Sequence, residues 1–183
     1  MDIYTSLLNE FNKGKEDRDS GKTVDTLELM FIGYALDTVD MARDRYRINL
    51  DFSEDSLKDI EKILDHFNKT MSKEKPSPDL VLSYTKAFTG YIGQVIKIRW
   101  GGTWKEEDEY SIKNGPGLFV KNQDLFLLSK VYRRITNGPE DNIWHFYQVI
   151  KKSIEGSIDL NEVKIEELKV KENKSWFRRI FNL

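Results

Sequence analysis

Hydrophobic positions recur at helical spacing along most of the chain, and this pattern is interrupted only in the third quarter. A short apolar repeat at positions 3, 4, 7, 8 and 11 predicts a small amphipathic helix at the start. The charged, glycine-flanked stretch "NKGKEDRDSGK", residues 12–22, is predicted to be a solvated loop. From Thr23 a longer helical pattern runs to about Arg47.

Two further helices have start signals at their beginnings. Ser53 can cap the free amides of a helix with apolar positions at Leu57, Ile60, Ile63, Leu64 and Phe67. Pro78 or Asp79 begins a long helix. Its predicted buried stripe contains Val81, Tyr84, Phe88, Tyr91, Ile92, Val95 and Ile98.

After Gly101 and Gly102 the pattern becomes short and aromatic. The runs "TWKEEDEYSI", "GLFV" and "DLFLL", separated by turn residues, predict two to four antiparallel strands. Helical spacing then returns: Asn137 and Gly138 end a short helix, Pro139 begins the next one, and Gly156 ends that helix. The sequence therefore predicts an α+β fold, a helix-rich single domain with a small antiparallel sheet of two to four strands.

The chain divides into three predicted parts. Residues 1–22 form the first helix and the charged loop, residues 23–156 form the α+β core, and residues 157–183 form a C-terminal segment. In that segment Ser175 can cap a short helix with a basic amphipathic face made of Trp176, Phe177, Arg178, Arg179, Ile180 and Phe181. Such a face can fold back onto its own domain, bind a groove of a partner protein or lie on an anionic membrane surface.

The composition excludes several classes of protein. Hydrophobic residues make up 39% and charged residues 33% of 183 residues, which indicates a packed core rather than disorder or a membrane protein. No apolar run approaches the roughly 20 residues that span a bilayer. The absence of cysteine excludes disulfides and thiolate metal sites. A net charge of −2 offers no general attraction for nucleic acid.

No motif predicts a catalytic residue, a cofactor or a metal ion. "SGKT" at 20–23 lacks the glycine that a phosphate-binding loop needs, because Glu16 occupies that position. His66 and His145 lie on different predicted helices, without metal-ligand spacing. Two groups of acidic residues are present, Asp37, Asp40 and Asp44 on one predicted helix and "EEDE" at 106–109. We expect both groups to be solvated, or, for the three aspartates, paired with arginines of the same helix.

The stretch "GYIGQVIKIRWGGTW" concentrates glycine and tryptophan. Gly90 and Gly93 each cost about 1 kcal/mol relative to alanine inside a helix, which is tolerable where another backbone packs closely. The stretch is therefore interpreted as a structural element. In the alternative interpretation, Tyr91, Trp100 and Trp104 line a groove for a partner or ligand.

Four segments are spread over roughly residues 50–150: "DFSEDSL", "GYIGQVI", "GG-x-W" at 101–104 and "KVYRRITNG" at 130–138. Together they resemble a family of small bacterial α+β domains of no established activity. The resemblance implies the fold class and a bacterial origin, but no mechanism. It also implies that relatives often carry glutamate at the position of Gln94, so an acidic role there is not expected in this chain.

These observations predict a bacterial cytoplasmic protein that acts by contact with another protein, without catalysis. A stoichiometric inhibitor or a toxin-neutralising immunity protein is the sharpest form of this prediction. One alternative is a peripheral protein held at the inner membrane face by residues 175–183. A second alternative is an enzyme whose site is assembled from distant residues.

Overall fold

A computed structural model of the chain describes residues 1–106 and 115–156. The elements in these ranges are α1 (Ile3–Asp19), α2 (Thr26–Met41) with a π-helical turn after it (Ala42–Tyr46), α3 (Ser56–Glu74), α4 (Pro78–Trp100), β1 (Thr103–Lys105), β2 (Gly117–Val120), β3 (Gln123–Leu125), α5 (Leu127–Thr136), a 3-10 turn (Pro139–Asp141) and α6 (Ile143–Ile154). The predicted helix-rich α+β fold with a small antiparallel sheet is confirmed. No helix in the described ranges has the length and apolar character needed to cross a bilayer.

Helix α1 is longer than predicted, so the prediction of a loop over residues 12–22 is wrong for residues 12–19, and only residues 20–22 lie outside the helix. The helix continues through the charged residues to Asp19, and Asp2 caps its start by accepting a hydrogen bond from the Thr5 amide at 2.8 Å. Gly14, which indicated a break, lies against α2: a Cβ added there would be 2.6 Å from Cδ1 of Leu29. Packing of one face on α2 stabilises a helix whose other faces are charged.

Helices α2 and α4 pack closely at the centre of the core. A Cβ added at Gly90 would lie 2.6 Å from Cβ of Tyr34 and 2.7 Å from the carbonyl oxygen of Phe31. Gly93 leaves room for the indole of Trp104, which stacks on the ring of Phe31 with centroids 3.7 Å apart. The prediction that another backbone packs closely is confirmed at Gly90, whereas the close neighbour of Gly93 is a side chain.

The ends of α3 and α4 follow local capping chemistry. The Ser53 hydroxyl accepts a hydrogen bond from the Ser56 amide at 3.2 Å, although the helix itself begins at Ser56. Pro78 occupies the first turn of α4, as predicted, and the side chain of Ser77, which was not predicted to do so, caps this helix. Gly101 follows the last residue of α4 with φ +75°, a conformation that glycine adopts without strain.

The sheet has the order β1-β2-β3 and is antiparallel throughout. Trp104, Leu118 and Leu125 are aligned across the three strands, and all three are buried. Strand β3 is shorter than the predicted run "DLFLL", because α5 begins at Leu127.

The connection between α5 and α6 differs from the prediction by a few residues. Pro139 begins a 3-10 turn rather than a helix, and α6 begins at Ile143. The reason is the side chain of Asn142, which accepts a hydrogen bond from the His145 amide at 2.7 Å and so caps the helix there. Gly156, with φ +75°, follows the end of α6 as predicted.

Candidate functional site

The structure separates the three aromatic residues that the sequence grouped together. Tyr91 and Trp104 are buried, with 0% and 4% of their surface exposed, whereas Trp100 is half-buried. Tyr91 and Trp100 are nine residues apart on α4, which is about two and a half turns, so they face opposite sides of the helix. Of the three, Trp100 is the one that offers surface to a partner.

Tyr91 has a structural contact that the sequence did not reveal. Its hydroxyl oxygen accepts a hydrogen bond from the Phe52 amide at 2.8 Å and lies 2.7 Å from Oγ of Ser56. Burial raises the pKa of Tyr91 to about 12. The phenol therefore stays protonated and ties the centre of α4 to the turn that precedes α3.

Trp100 belongs to a row of aromatic rings that joins α4 to α6. Its ring centroid lies 5.5 Å from that of buried Tyr147, which in turn lies 5.9 Å from the half-buried ring of Trp144. The guanidinium of Arg99 lies 5.2 Å from the Trp100 centroid, and the ammonium of Lys58 lies 4.7 Å from the Trp144 centroid. These five residues are called the tryptophan surface.

Ion pairs fix the charged groups beside this surface. Glu54 pairs with Arg99 and, at 2.8 Å, with Lys151, while Arg99 also pairs with Glu155 at 2.9 Å. Burial alone would raise the pKa of Glu54, but the hydrogen bond from Lys151 and the charge of Arg99 lower it overall. The hydrogen bond to Glu155 raises the pKa of Arg99. The network connects the start of α3 with the ends of α4 and α6.

A groove of about 500 Å³ lies next to the ion-pair network. Buried Phe52 and Val95 are among the residues that line it, and the side chains of Ile3 and Ile98 are 37% and 47% exposed beside them. Polar residues complete the lining. This feature is called the Ile98 groove, and its full lining is Ile3, Asp51, Phe52, Ser53, Glu54, Val95, Ile98 and Arg99.

A second charged cluster is structural and was not predicted. Arg134 is 2% exposed, and its Nε donates to Oε2 of Glu61 at 2.9 Å. Glu61 also accepts a hydrogen bond from the Ile143 amide at the start of α6. The cluster therefore joins α3, α5 and α6 inside the core. The one sequence signal is the position of Arg134 between Val131 and Ile135 on the buried side of α5.

Within the part of the chain that the structure describes, the remaining candidate histidines and acidic residues do not converge on one site. His66 lies against the ring of Tyr46, with centroids 5.5 Å apart, and His145 is exposed on α6. Arg43 pairs with Asp40 at 2.7 Å and Asp44 at 3.2 Å, so the predicted pairing within this helix is confirmed. Across residues 1–106 and 115–156, no three histidine, aspartate or glutamate side chains are grouped as metal ligands.

The whole of the predicted partner-binding face at the C-terminus, Trp176 to Phe181, lies outside the described residues, as do positions 107–109 of "EEDE". Compared with known proteins, the chain matches no family model, no curated protein and no solved structure. The resemblance to small bacterial α+β domains therefore stays a prediction, and a proposal for function depends on the surfaces described above.

Proposed function

We propose that this protein is a non-catalytic protein-binding module of the stoichiometric-inhibitor or toxin-immunity type, and that it binds its partner through the tryptophan surface. The observation that carries the proposal is the pair of half-buried tryptophans, Trp100 and Trp144, each of which packs against the buried Tyr147 ring. Tryptophan, tyrosine and arginine are the residues that most often dominate the energy of protein interfaces.

The fixed geometry of this surface favours tight binding. Each indole is packed on a helix and has a cation over its ring, so little side-chain freedom remains to be lost on association. Ion pairs hold Glu54, Arg99 and Glu155 in place before any partner arrives. A surface with charges of both signs selects a partner by complementary charges and suppresses contacts with other proteins.

The test is capture of the partner from the native bacterium with the full-length chain as bait. We expect one protein at 1:1 stoichiometry, measured by native mass spectrometry. Trp100→Ala should weaken the measured affinity at least about tenfold, which corresponds to roughly 1.4 kcal/mol and to the loss of an interface hot spot.

Leu80→Ala is the matched control. Leu80 is 46% exposed and lies 20 residues from Trp100 on the same helix, about 30 Å away along its axis. We expect this variant to bind as the wild type does. Recovery of no stable partner would contradict the proposed function, and equal binding by the Trp100→Ala and Leu80→Ala variants would contradict the assigned surface.

A further inference from the structure

The Ile98 groove brings together exposed apolar side chains from two helices. Ile3 from α1 and Ile98 from α4 are two of the large hydrophobic residues with more than a third of their surface exposed in the described ranges. They line the same groove, whose deeper lining includes Phe52 and Val95, each 2% exposed. A volume of about 500 Å³ is enough for several apolar side chains, or for a small ligand.

The chain leaves the described core beside this groove. Glu155 at the end of α6 pairs with Arg99 at 2.9 Å, and Arg99 lines the groove. Residues 157–174 supply 18 residues between this point and Ser175. Eighteen residues span up to about 60 Å when fully extended. The segment that begins at Ser175 can therefore reach the groove without strain.

The charges of the groove and of the segment are complementary. Asp51 is exposed at the rim, and no lysine or arginine within residues 1–106 and 115–156 forms an ion pair with it. Glu54 adds a second carboxylate, which Arg99 and Lys151 already neutralise. The C-terminal segment carries two adjacent arginines between apolar residues in "SWFRRIFNL".

We propose that residues 175–183 of the same chain bind in the Ile98 groove. The apolar residues of the segment cover Ile3 and Ile98, and its arginines lie at Asp51. An attached segment is present at an effective concentration of the order of millimolar, so even a weak contact is occupied. This inference goes beyond the proposed function, because it requires no partner and concerns a surface next to the tryptophan surface.

Disulfide trapping tests this contact in the full-length chain, which contains no cysteine of its own. The double variant Ile98→Cys/Ile180→Cys places one thiol at the groove and one on the segment. Under mild oxidation we expect an intramolecular disulfide, measured by mass spectrometry after digestion, at a rate independent of protein concentration.

The matched control is Leu80→Cys/Ile180→Cys. Leu80 is as exposed as Ile98, 46% against 47%, but lies 18 residues away on α4, about 27 Å along the helix axis. We expect trapping at position 98 to be at least about tenfold faster than at position 80. Equal rates at the two positions would overturn the proposal. Disulfides formed only between two molecules would overturn it too, because the segment would then lie on a second copy.

Two further measurements separate the arginine contact from the rival membrane role. Asp51→Asn keeps an oxygen for the Ser53 amide but removes the charge, so it should slow trapping a few-fold at low salt and much less at 1 M salt. An unchanged rate at low salt would contradict the place assigned to the arginines.

The second measurement is binding of the wild-type chain to vesicles of anionic phospholipid. If the chain binds these vesicles and trapping shows no preference for position 98, the segment binds a membrane surface and the groove proposal is overturned.

Discussion

Replacing Gly90 with alanine has two opposed effects on stability. Alanine has the higher helix propensity, but its Cβ interferes with the close packing of α4 on α2. Alanine is favoured over glycine inside a helix by about 1 kcal/mol. In this fold, however, the added Cβ would lie 2.6 Å from Cβ of Tyr34, 2.7 Å from the Phe31 carbonyl oxygen and 2.8 Å from the Ala35 amide nitrogen. All three atoms belong to the backbone of α2 or are bonded directly to it, so no side-chain rotation relieves the overlap.

The magnitude follows from these two opposed effects. Relief of the overlap requires α2 and α4 to move apart through the best-packed part of the core, and overpacking of this kind costs about 1–3 kcal/mol. With three contacts below 3.0 Å, two to backbone atoms and one to the Cβ of Tyr34, we take the upper end of that range. After the helix preference is subtracted, Gly90→Ala should lower the free energy of unfolding by about 2 kcal/mol, and the melting temperature by roughly 4–8 °C.

Urea unfolding of the full-length chain, followed by circular dichroism, measures this difference, with Gly14→Ala as the matched control. Gly14 is also inside a helix, but the atom its new Cβ would meet, at 2.6 Å, is the mobile end of the Leu29 side chain. This control should be neutral or up to about 1 kcal/mol more stable than the wild type. The reasoning fails if Gly90→Ala is as stable as the wild type, or if Gly14→Ala loses as much stability as Gly90→Ala.

Three further predictions concern the polar contacts. Glu61→Gln removes the closer carboxylate partner of buried Arg134 and leaves Asp65 at 3.8 Å, so it should cost about 3 kcal/mol in urea unfolding, the lower end for a broken buried pair. Lys62→Gln, which removes an exposed pair with Asp59, should cost less than about 0.5 kcal/mol. Tyr91→Phe leaves the Phe52 amide unpaired and should cost about 1–3 kcal/mol in the same assay. Because the folded pKa of Glu54 is lowered, its stabilising contribution is complete above the ordinary value of 4.5 and is lost as the pH falls below it. An acid titration of stability should therefore show a shallower decline for Glu54→Gln, and an unchanged slope would contradict this assignment.

Sequence patterns predicted the elements whose stability is local. Helix α4 has a serine cap, a proline in its first turn and glycine after its last residue, and these signals act within a few residues of the chain. The pattern also indicated that Gly90 needs a close neighbour. It could not indicate which one, because the contact with Phe31 and Tyr34 comes from another helix and depends on tertiary packing.

Two of the differences from the sequence predictions depended on contacts distant in sequence, and a third depended on helical geometry alone. The charges and glycines of residues 12–22 indicated a loop, but packing of α1 on α2 extends the helix to Asp19. Arg134 was noted in the sequence only as part of the "KVYRRITNG" motif, and its burial was not predicted. The residue that neutralises it in the core is Glu61, which lies 73 residues away in sequence. The aromatic residues near the end of α4 were grouped by proximity, although helical geometry places Tyr91 and Trp100 on opposite faces.

The burial of Tyr91 connects the core to both candidate surfaces. Phe52 has a positive φ of +63°, which is unfavourable for a bulky residue and requires support from its surroundings. The Tyr91 hydroxyl supplies that support by accepting the hydrogen bond of the Phe52 amide, and the Phe52 ring stacks on Tyr91 with centroids 4.7 Å apart. The turn held in this way places Asp51 at the rim of the Ile98 groove and Glu54 against Arg99. A residue first considered for direct contact with a partner thus acts from inside the core, because the backbone it stabilises positions the charged groups that a partner, or the C-terminal segment, would contact.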